Sequence, residues 1–397
     1  MQALRGWTPV QKRTVAASYL AWTLDAFDYF LLVFVLRDVA AQFATTITTI
    51  AFATTLTLAM RPLGAFIFGR LADRFGRRPV LMVNIGVYSL LSFATAFSPS
   101  VTGLLVIRAL FGVGMGGIWG VASSLAMERI NKEARGAVSG LLQSGYSAGY
   151  LLAALVYGIL FPLVGWRGMF MVGILPAVIL IPFILAAVPE SPSFVKEEKK
   201  PSTFQVLRDH AGLALYAILL MTAFNFFSHG TQDIYPTFLQ RQHGLPPATV
   251  SSITILGNIG AILGCFLFGS LSQHFGRRRM MITSALLSIL VIYVWAFSEG
   301  LALLMLGAFL MQFFNQGAWS IIPAHLNELS PRAARGTFPG TVYQLGNLFA
   351  SVNLPLQTSI AEQQHSYSIA MAAVAFCAAV AISLLLAFGP EAHNTEL

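Results

Sequence analysis

One stretch of the chain is dense in groups that can hold a substrate or move a proton: Asn225-Phe226-Phe227-Ser228-His229-Gly230-Thr231-Gln232-Asp233-Ile234-Tyr235-Pro236-Thr237. Wound as an α-helix, Asn225, Ser228, His229, Gln232 and Asp233 fall at about 0°, −60°, 40°, −20° and 80°, one arc about 140° wide. His229 and Asp233 are i,i+4 neighbours, close enough to pair and to share a proton. This face is either a substrate or proton path or a satisfied polar seam against a neighbouring helix. Asp25 and Asp28 are i,i+3 carboxylates on one face. In a low dielectric two such groups do not both ionise without a cation, so one is a candidate proton carrier; otherwise one merely neutralises an arginine. Arg61 ends a polar stripe with Thr54 and Thr57. Its planar fork suits a carboxylate, to which it can donate two parallel bonds. An ion pair with Asp25 or Asp28 is the alternative, and the two roles can alternate in one cycle. Arg108 precedes the glycines Gly112, Gly114 and Gly116, which let helices approach closely, and is read as organising packing and proton movement before substrate.

The elements that must position these groups follow from composition. Of 397 residues, 56% are hydrophobic and 10% charged, against about 45–50% and 25% in a soluble domain. A soluble enzyme, a disordered chain and a nucleic-acid-binding domain are excluded together. About 20 apolar residues of helix cross a hydrocarbon core. With that window twelve spans emerge, near 14–36, 46–68, 79–97, 101–127, 137–161, 167–187, 211–238, 249–271, 280–298, 302–325, 337–360 and 367–388. Only Asp25, Asp28, Arg61, Arg108 and Asp233 place charge clearly inside a span, where each costs about 2.5–3.5 kcal/mol on insertion scales. Each therefore needs a wet cavity, a partner or a substrate.

The longest polar interruption, 189–210, divides six spans from six, predicting a bundle over 1–188, a linker, and a second bundle over 211–397. Of the 24 basic residues, 19 fall in loops on one side, and only Arg37, Arg167 and Arg241 on the other. The net charge of +8 is thus a topology signal, and the positive-inside rule puts both termini and the linker in the cytoplasm of a multi-pass plasma (inner) membrane protein. No cleaved secretory signal is expected at the N-terminus. Cys265 and Cys377 lie in apolar stretches, so no disulfide framework is indicated.

A shift of 200 residues aligns Gly64-Ala-Phe66-Ile-Phe68-Gly69-Arg-Leu71-Ala-Asp-Arg-Phe75-Gly76-Arg77-Arg78 with Gly264-Cys-Phe266-Leu-Phe268-Gly269-Ser-Leu271-Ser-Gln-His-Phe275-Gly276-Arg277-Arg278. The same register pairs Gly117, Trp119, Glu128, Arg135 and Gly140 with Gly317, Trp319, Glu328, Arg335 and Gly340. The two halves therefore descend from one six-helix unit. Gly69-Arg70-Leu71-Ala72-Asp73-Arg74-Phe75-Gly76-Arg77-Arg78 resembles the loop signature of the major facilitator superfamily, and Arg108 with its glycines and Pro189-Glu190-Ser191 fit the same pattern. The resemblance implies an all-α membrane protein of twelve helices in two six-helix bundles, working by alternating access at a site between the halves. It also implies that Asp73, Arg77 and Arg78 latch helix ends, although the arginines could serve topology alone. Gln273 stands where the second copy would have its aspartate, so a weaker latch is expected there. Glu128 with Arg129, and Glu328 with Arg335, are expected as further clamps.

The seventh span carries a narrower resemblance. Its Asn-x-x-Ser-His-x-Thr-Gln-Asp-x-Tyr-Pro-Thr pattern is similar to the signature of the fungal lactate permeases, within the sialate:proton symporter family. That resemblance implicates Asn225, His229 and Asp233 in transport. Gln344 and Asn347 resemble a Gln-x-x-Asn pair assigned to substrate selectivity, with helix packing as the alternative role. Trp22, Phe27, Tyr29, Trp119, Gln143, Tyr146, Gln312, Asn315, Gln316 and Trp319 are candidates to line the cavity, although each aromatic alone could be plain packing. The expected activity is proton-coupled import of a monocarboxylate such as lactate, not an enzymatic reaction. Sialic acid:proton symport is the neighbouring alternative, and proton-coupled export is weakened because Gly145-Tyr146-Ser147-Ala148-Gly149-Tyr150 lacks an antiporter's proline. A transporter-like receptor has no signalling module to use. The absence of a Walker loop argues against ATP drive, and no residue spacing suggests a metal or other cofactor. The expected partners are a small organic acid, a proton and the bilayer, with no nucleic acid, and the chain is expected to act as a monomer.

Overall fold

Hydrocarbon offers backbone amides no partner but one another, so a spanning chain of this composition must be helical. The computed structural model describes residues 7–127, 135–190, 208–330 and 338–390, and all regular structure among them is α-helical. The helices are α1 (Pro9–Gln42), α2 (Ile47–Phe75), α3 (Arg77–Thr95), α4 (Val101–Gly116), α5 (Ile118–Met127), α6 (Arg135–Val172), α7 (Leu175–Ala187), α8 (Ala211–Gln232), α9 (Tyr235–Arg241), α10 (Pro247–Phe275), α11 (Arg277–Ala296), α12 (Leu301–Trp319), α13 (Ile322–Leu329), α14 (Phe338–Ala350), α15 (Asn353–Gln364) and α16 (Tyr367–Phe388).

Nine helical stretches among the described residues are long and apolar enough to cross a membrane on those criteria alone. One of the nine, Leu141–Ala187, holds the predicted fifth and sixth spans. They meet at Gly165, whose φ of 62° and ψ of −174° turn the chain inside α6 without a polar loop. The predicted third and eleventh spans are α3 and the pair α14–α15, which are less apolar or interrupted. The structure also divides four predicted spans in two: the fourth at Gly117, the seventh at Asp233–Ile234, the tenth at Ser320–Ile321 and the eleventh at Ser351–Val352. Pro236 accounts for the break in the seventh, because it lacks the N–H that would continue the helical ladder.

The chain forms two compact units, one of Met1–Ala44 and Leu56–Lys199, the other of Thr45–Thr55 and Lys200–Leu397. In the first unit the helices at its centre touch backbone to backbone. A Cβ added to Gly64 would collide with the Val113 carbonyl, one on Gly112 with that of Thr57, and one on Gly116 with that of Arg61. Glycines 112 and 116 of α4 thus seat against the turns of α2 that carry Thr57 and Arg61. Tyr150 and Tyr157 of α6 stack on Phe30 and Phe34 of α1 at centroid separations of 4.3 and 5.1 Å, adding aromatic contact to the area they bury.

The second unit repeats this plan. α2 and α10 occupy residues 47–75 and 247–275, one 200-residue shift apart. Gly264 meets the Phe313 carbonyl as Gly64 meets that of Val113. A single glycine joins each of these long helices to the next, Gly76 at φ 99° and Gly276 at φ 93°, a left-handed region that favours glycine. The second arginine after it caps a distant helix in each half: Arg78 Nη2 donates to the Leu185 carbonyl at 2.7 Å, and Arg278 Nη2 to that of Ala387 at 2.7 Å. Guanidinium groups at helix C-termini satisfy carbonyls that have no helical partner.

Because no side chain could relieve the Gly64–Val113 contact, Gly64→Ala must push α2 and α4 apart. Thermal unfolding in detergent should show Gly64→Ala melting well below wild type. Gly69→Ala on the same helix, where a Cβ meets nothing within 4 Å, should be neutral or stabilising by up to about 1 kcal/mol.

Candidate functional site

In the first unit α1 carries Asp25 and Asp28, both 0% exposed. Ser92 Oγ of α3 donates to Asp28 Oδ1 at 3.1 Å. Arg61 and Arg108 are also enclosed, at 1% and 0% exposure. Both arginines act electrostatically on Asp25, and Arg108 on Asp28. The Arg61 guanidinium lies 5.8 Å from the Trp22 ring centroid, and that of Arg108 lies 4.0 Å from the Phe111 ring, so aromatic faces help hold two buried cations. Thr57 Oγ1 donates to the Arg108 carbonyl at 2.9 Å, tying the stripe that leads to Arg61 onto α4. The two acids and two arginines singled out in the sequence therefore share one enclosed region of this unit.

In the second unit the polar face of α8 divides into parts. On one side Gln232 Nε2 donates to Gln312 Oε1 at 2.9 Å, and Gln316 Nε2 to Ser228 Oγ at 3.2 Å. Thr231 Oγ1 accepts from Asn315 Nδ2 at 2.7 Å and from Gln312 Nε2 at 3.2 Å, while itself donating to the Phe227 carbonyl. Ser228, Thr231 and Gln232 thus form a seam with α12, the helix from which cavity-lining groups were expected. Trp319 closes its end with a bond to the Phe224 carbonyl at 3.1 Å.

The remaining arc holds Asn225, His229 and Asp233, the three residues that the narrower resemblance implicates. His229 Nδ1 and Asp233 Oδ2 stand 3.0 Å apart with side chains 4% and 1% exposed. Asn225 Nδ2 donates to the Met221 carbonyl at 2.9 Å. Gly346 of α14 packs on the same turn, where a Cβ would meet Met221 Cβ at 2.6 Å. That close approach brings in Gln344 and Asn347, which are buried and bonded to each other at 3.4 Å. Beyond the helices, in the loop after α9, burial pushes His243 below its ordinary pKa while Glu299 acts the other way.

The expected latch residues are placed unevenly. Gly69 and Gly76 occupy α2 and the corner after it. At that corner Glu190 supplies the anion: its carboxylate accepts from the backbone N–H of Arg77 at 2.9 Å and of Arg78 at 3.2 Å. A carboxylate at a helix N-terminus satisfies free amides and complements the dipole. In the second unit Glu328 pairs with Arg277 at 3.1 Å, where Arg335 was expected. Arg277 also donates to Ser272 at 2.7 Å. This half thus has an acid–arginine pair of its own despite Gln273. Glu128, Arg129 and Arg335, with the side chains of Asp73 and Arg135, lie outside the described residues.

Thr231, Asn315's closest partner, was not among the expected site residues. It sits about 120° from Asn225 and outside the arc by which the face was recognised. Thr231→Val keeps the shape but removes the acceptor of the buried Asn315 amide and leaves Gln312 only the Thr231 carbonyl, a loss of about 1–3 kcal/mol. Thr231→Ser should retain most of that, and thermal unfolding in detergent compares the two.

Comparison with known proteins agrees with this architecture. The Major Facilitator Superfamily profile matches residues 18–232 and 218–396. The chain is 26% identical over 343 residues to the sialic acid transporter NanX of Escherichia coli, covering 85% of this chain and 84% of that protein. It is 29% identical over 374 residues to a carboxylic acid transporter protein homolog of Saccharomyces cerevisiae, covering 87% of this chain and 60% of the yeast protein. Its fold superposes with a TM-score of 0.72, at 17% identity, on a bacterial homolog to human lysosomal transporter Spinster, in an inward-facing and occupied conformation, covering 96% and 97% of the two chains. A family match running through both repeats, over helices of this length and apolarity, makes the chain a multi-pass secondary transporter and a member of the Major Facilitator Superfamily.

Proposed function

We propose that this transporter imports a monocarboxylate such as lactate together with a proton. The observation that carries the reading is the enclosed His229–Asp233 pair, 3.0 Å apart within an apolar span. Such a pair can hold a proton or release it with a small change in surroundings. Arg61 of the first unit provides a permanently charged fork for a carboxylate, and Asp25, under the fields of Arg61 and Arg108, is the acid that substrate would replace. Protonation at Asp233, His229 or Asp28 releases Arg61 to bind the substrate carboxylate. Asn225, Ser228, Gln232, Gln344 and Asn347 contribute polar contacts, and alternate exposure of the loaded site completes the cycle.

A charge argument supports the proton. Moving an anion against an inside-negative potential costs about 2.3 kcal/mol per 100 mV, and a co-transported proton cancels that charge. The relatives support a carboxylic acid as the substrate class, since one is named for sialic acid and the other for a carboxylic acid. The match to NanX along 84% of its length favours sialic acid as the second reading. Both termini face the cytoplasm on this proposal, as the distribution of basic residues requires.

Uptake into proteoliposomes under an imposed pH gradient, with lactate and sialic acid in parallel, separates the two substrates. Asp233→Asn and Asp28→Asn should each abolish gradient-driven accumulation while substrate exchange continues. Accumulation that survives in both variants would show that neither acid couples the proton. Arg61→Gln should lower the apparent affinity for the transported acid by at least about tenfold, the scale of one charge-assisted bidentate contact.

A further inference from the structure

The break between α8 and α9 exposes a problem that the proposed roles of its side chains do not solve. The helical ladder runs to Asp233, whose N–H donates to the His229 carbonyl at 2.9 Å, and restarts with Phe238 donating to Ile234 at 2.9 Å. Between them the carbonyls of Gly230, Thr231, Gln232 and Asp233 lose their helical donors, for Gln232 because Pro236 has no N–H. A bare carbonyl at this depth is costly, since neither lipid nor backbone can satisfy it.

Two glutamines from other helices supply donors. Gln312 Nε2 lies 3.3 Å from the Thr231 carbonyl. Gln357 Nε2 of α15 donates to the Gly230 carbonyl at 2.9 Å. One turn earlier on the same face, Asn353 Nδ2 donates to the Phe226 carbonyl at 3.3 Å. Asn353 and Gln357 are 1% and 0% exposed. Gly230 makes room for them: a Cβ there would meet Val374 at 2.8 Å and the Asn353 amide at 3.3 Å. Around α8, Phe226 and Gly230 sit at about 100° and 140° from Asn225, just past Asp233 at about 80°. The α15 amides therefore grip the helix on the flank of the His229–Asp233 pair opposite the α12 seam.

We propose that Gln357 is a positioning residue for the His229–Asp233 pair, acting through the Gly230 carbonyl to replace the donor that the helix break removes. Gly230 lies between the two members of the pair, so the backbone that sets their 3.0 Å separation is held by a donor from α15. Asn353 makes the second point of the grip. The importance of this role rests on reading the pair as the transport site, but the grip itself can be tested without any substrate.

The test is hydrogen–deuterium exchange of the purified full chain in detergent, read on peptides covering 226–241, with wild type measured at every pH. Gln357→Leu removes the donor and should raise exchange there about tenfold, the scale of one buried hydrogen bond. Gln357→Glu can donate only while its carboxyl is protonated. It should match wild type at pH 5 and approach the leucine variant at pH 8. Because His229 and Asp233 face the same segment in all three proteins, only the ratio to wild type at each pH is compared. Gln363→Leu, exposed on the same helix, should behave as wild type. The proposal is overturned if Gln357→Leu exchanges like wild type or if Gln357→Glu follows the leucine variant at every pH. It is also overturned if peptides from α16 loosen equally, which would mark a general loss of packing. Uptake of labelled lactate forms a separate arm, in which the Gln357→Glu to wild-type ratio should fall about tenfold over the same range. Failure of wild type to take up lactate would count against the substrate reading, while the exchange result would still decide the role of Gln357.

Discussion

A helix that breaks inside a bilayer must find partners for the backbone groups it frees, and in the second unit that requirement organises the site. Pro236 interrupts the seventh span beside its most polar turn, and amides from α12 and α15 close on the exposed carbonyls from either side. The His229–Asp233 pair occupies the arc between those grips. Two polar seams thus act as a mount: they hold the interrupted helix on either side of the strip that carries Asn225, His229 and Asp233.

The first unit meets a different cost, that of burying charge, by a different route. Two acids and two arginines are enclosed, with aromatic rings against both guanidiniums and Ser92 on Asp28. Removing one partner of such a set leaves an uncompensated charge, which is more damaging than losing the attraction itself. Keeping four charges in one enclosed region is therefore weak as a source of stability and well suited to exchange of partners. The glycines of α4 make the arrangement possible, since they bring the backbone of α2 at Thr57 and Arg61 into contact with α4.

The repeat, the helical class and the polar face of α8 were legible because each is a matter of spacing along the chain. Partner choice was not. A helical wheel places Ser228, Gln232, His229 and Asp233 on one arc, but it does not say that the first two meet Gln316 and Gln312 while the last two meet each other. Asn353 and Gln357 gave no local sign at all, because their function is to satisfy backbone atoms of another helix. Glu328 pairs with Arg277, 51 residues away, a contact that no local spacing announces. The signal that could have pointed toward Gln357 is Pro236: a proline in a spanning helix predicts a break, and a break leaves carbonyls in the turns before it that need donors from another helix.

Comparing equivalent positions of the two copies shows how one ancestral unit was divided between roles. Asp25 and Asp28 of α1 correspond to Asn225 and Ser228 of α8, so the same helix face carries acids in one copy and neutral polar groups in the other. Arg61 and Arg108 correspond to Ala261 and Ala308, so at these two positions the second copy has no arginine. Its own acid, Asp233, stands where the first copy has Val33, and the histidine that pairs with it replaces Tyr29. Ser144 and Ser147 likewise correspond to Gln344 and Asn347, so at these two positions the second copy carries the longer amides. At these equivalent positions the charged groups thus lie mostly in the first unit, while the neutral amides and a His–Asp pair lie in the second, so divergence of the two copies has separated two kinds of polar group.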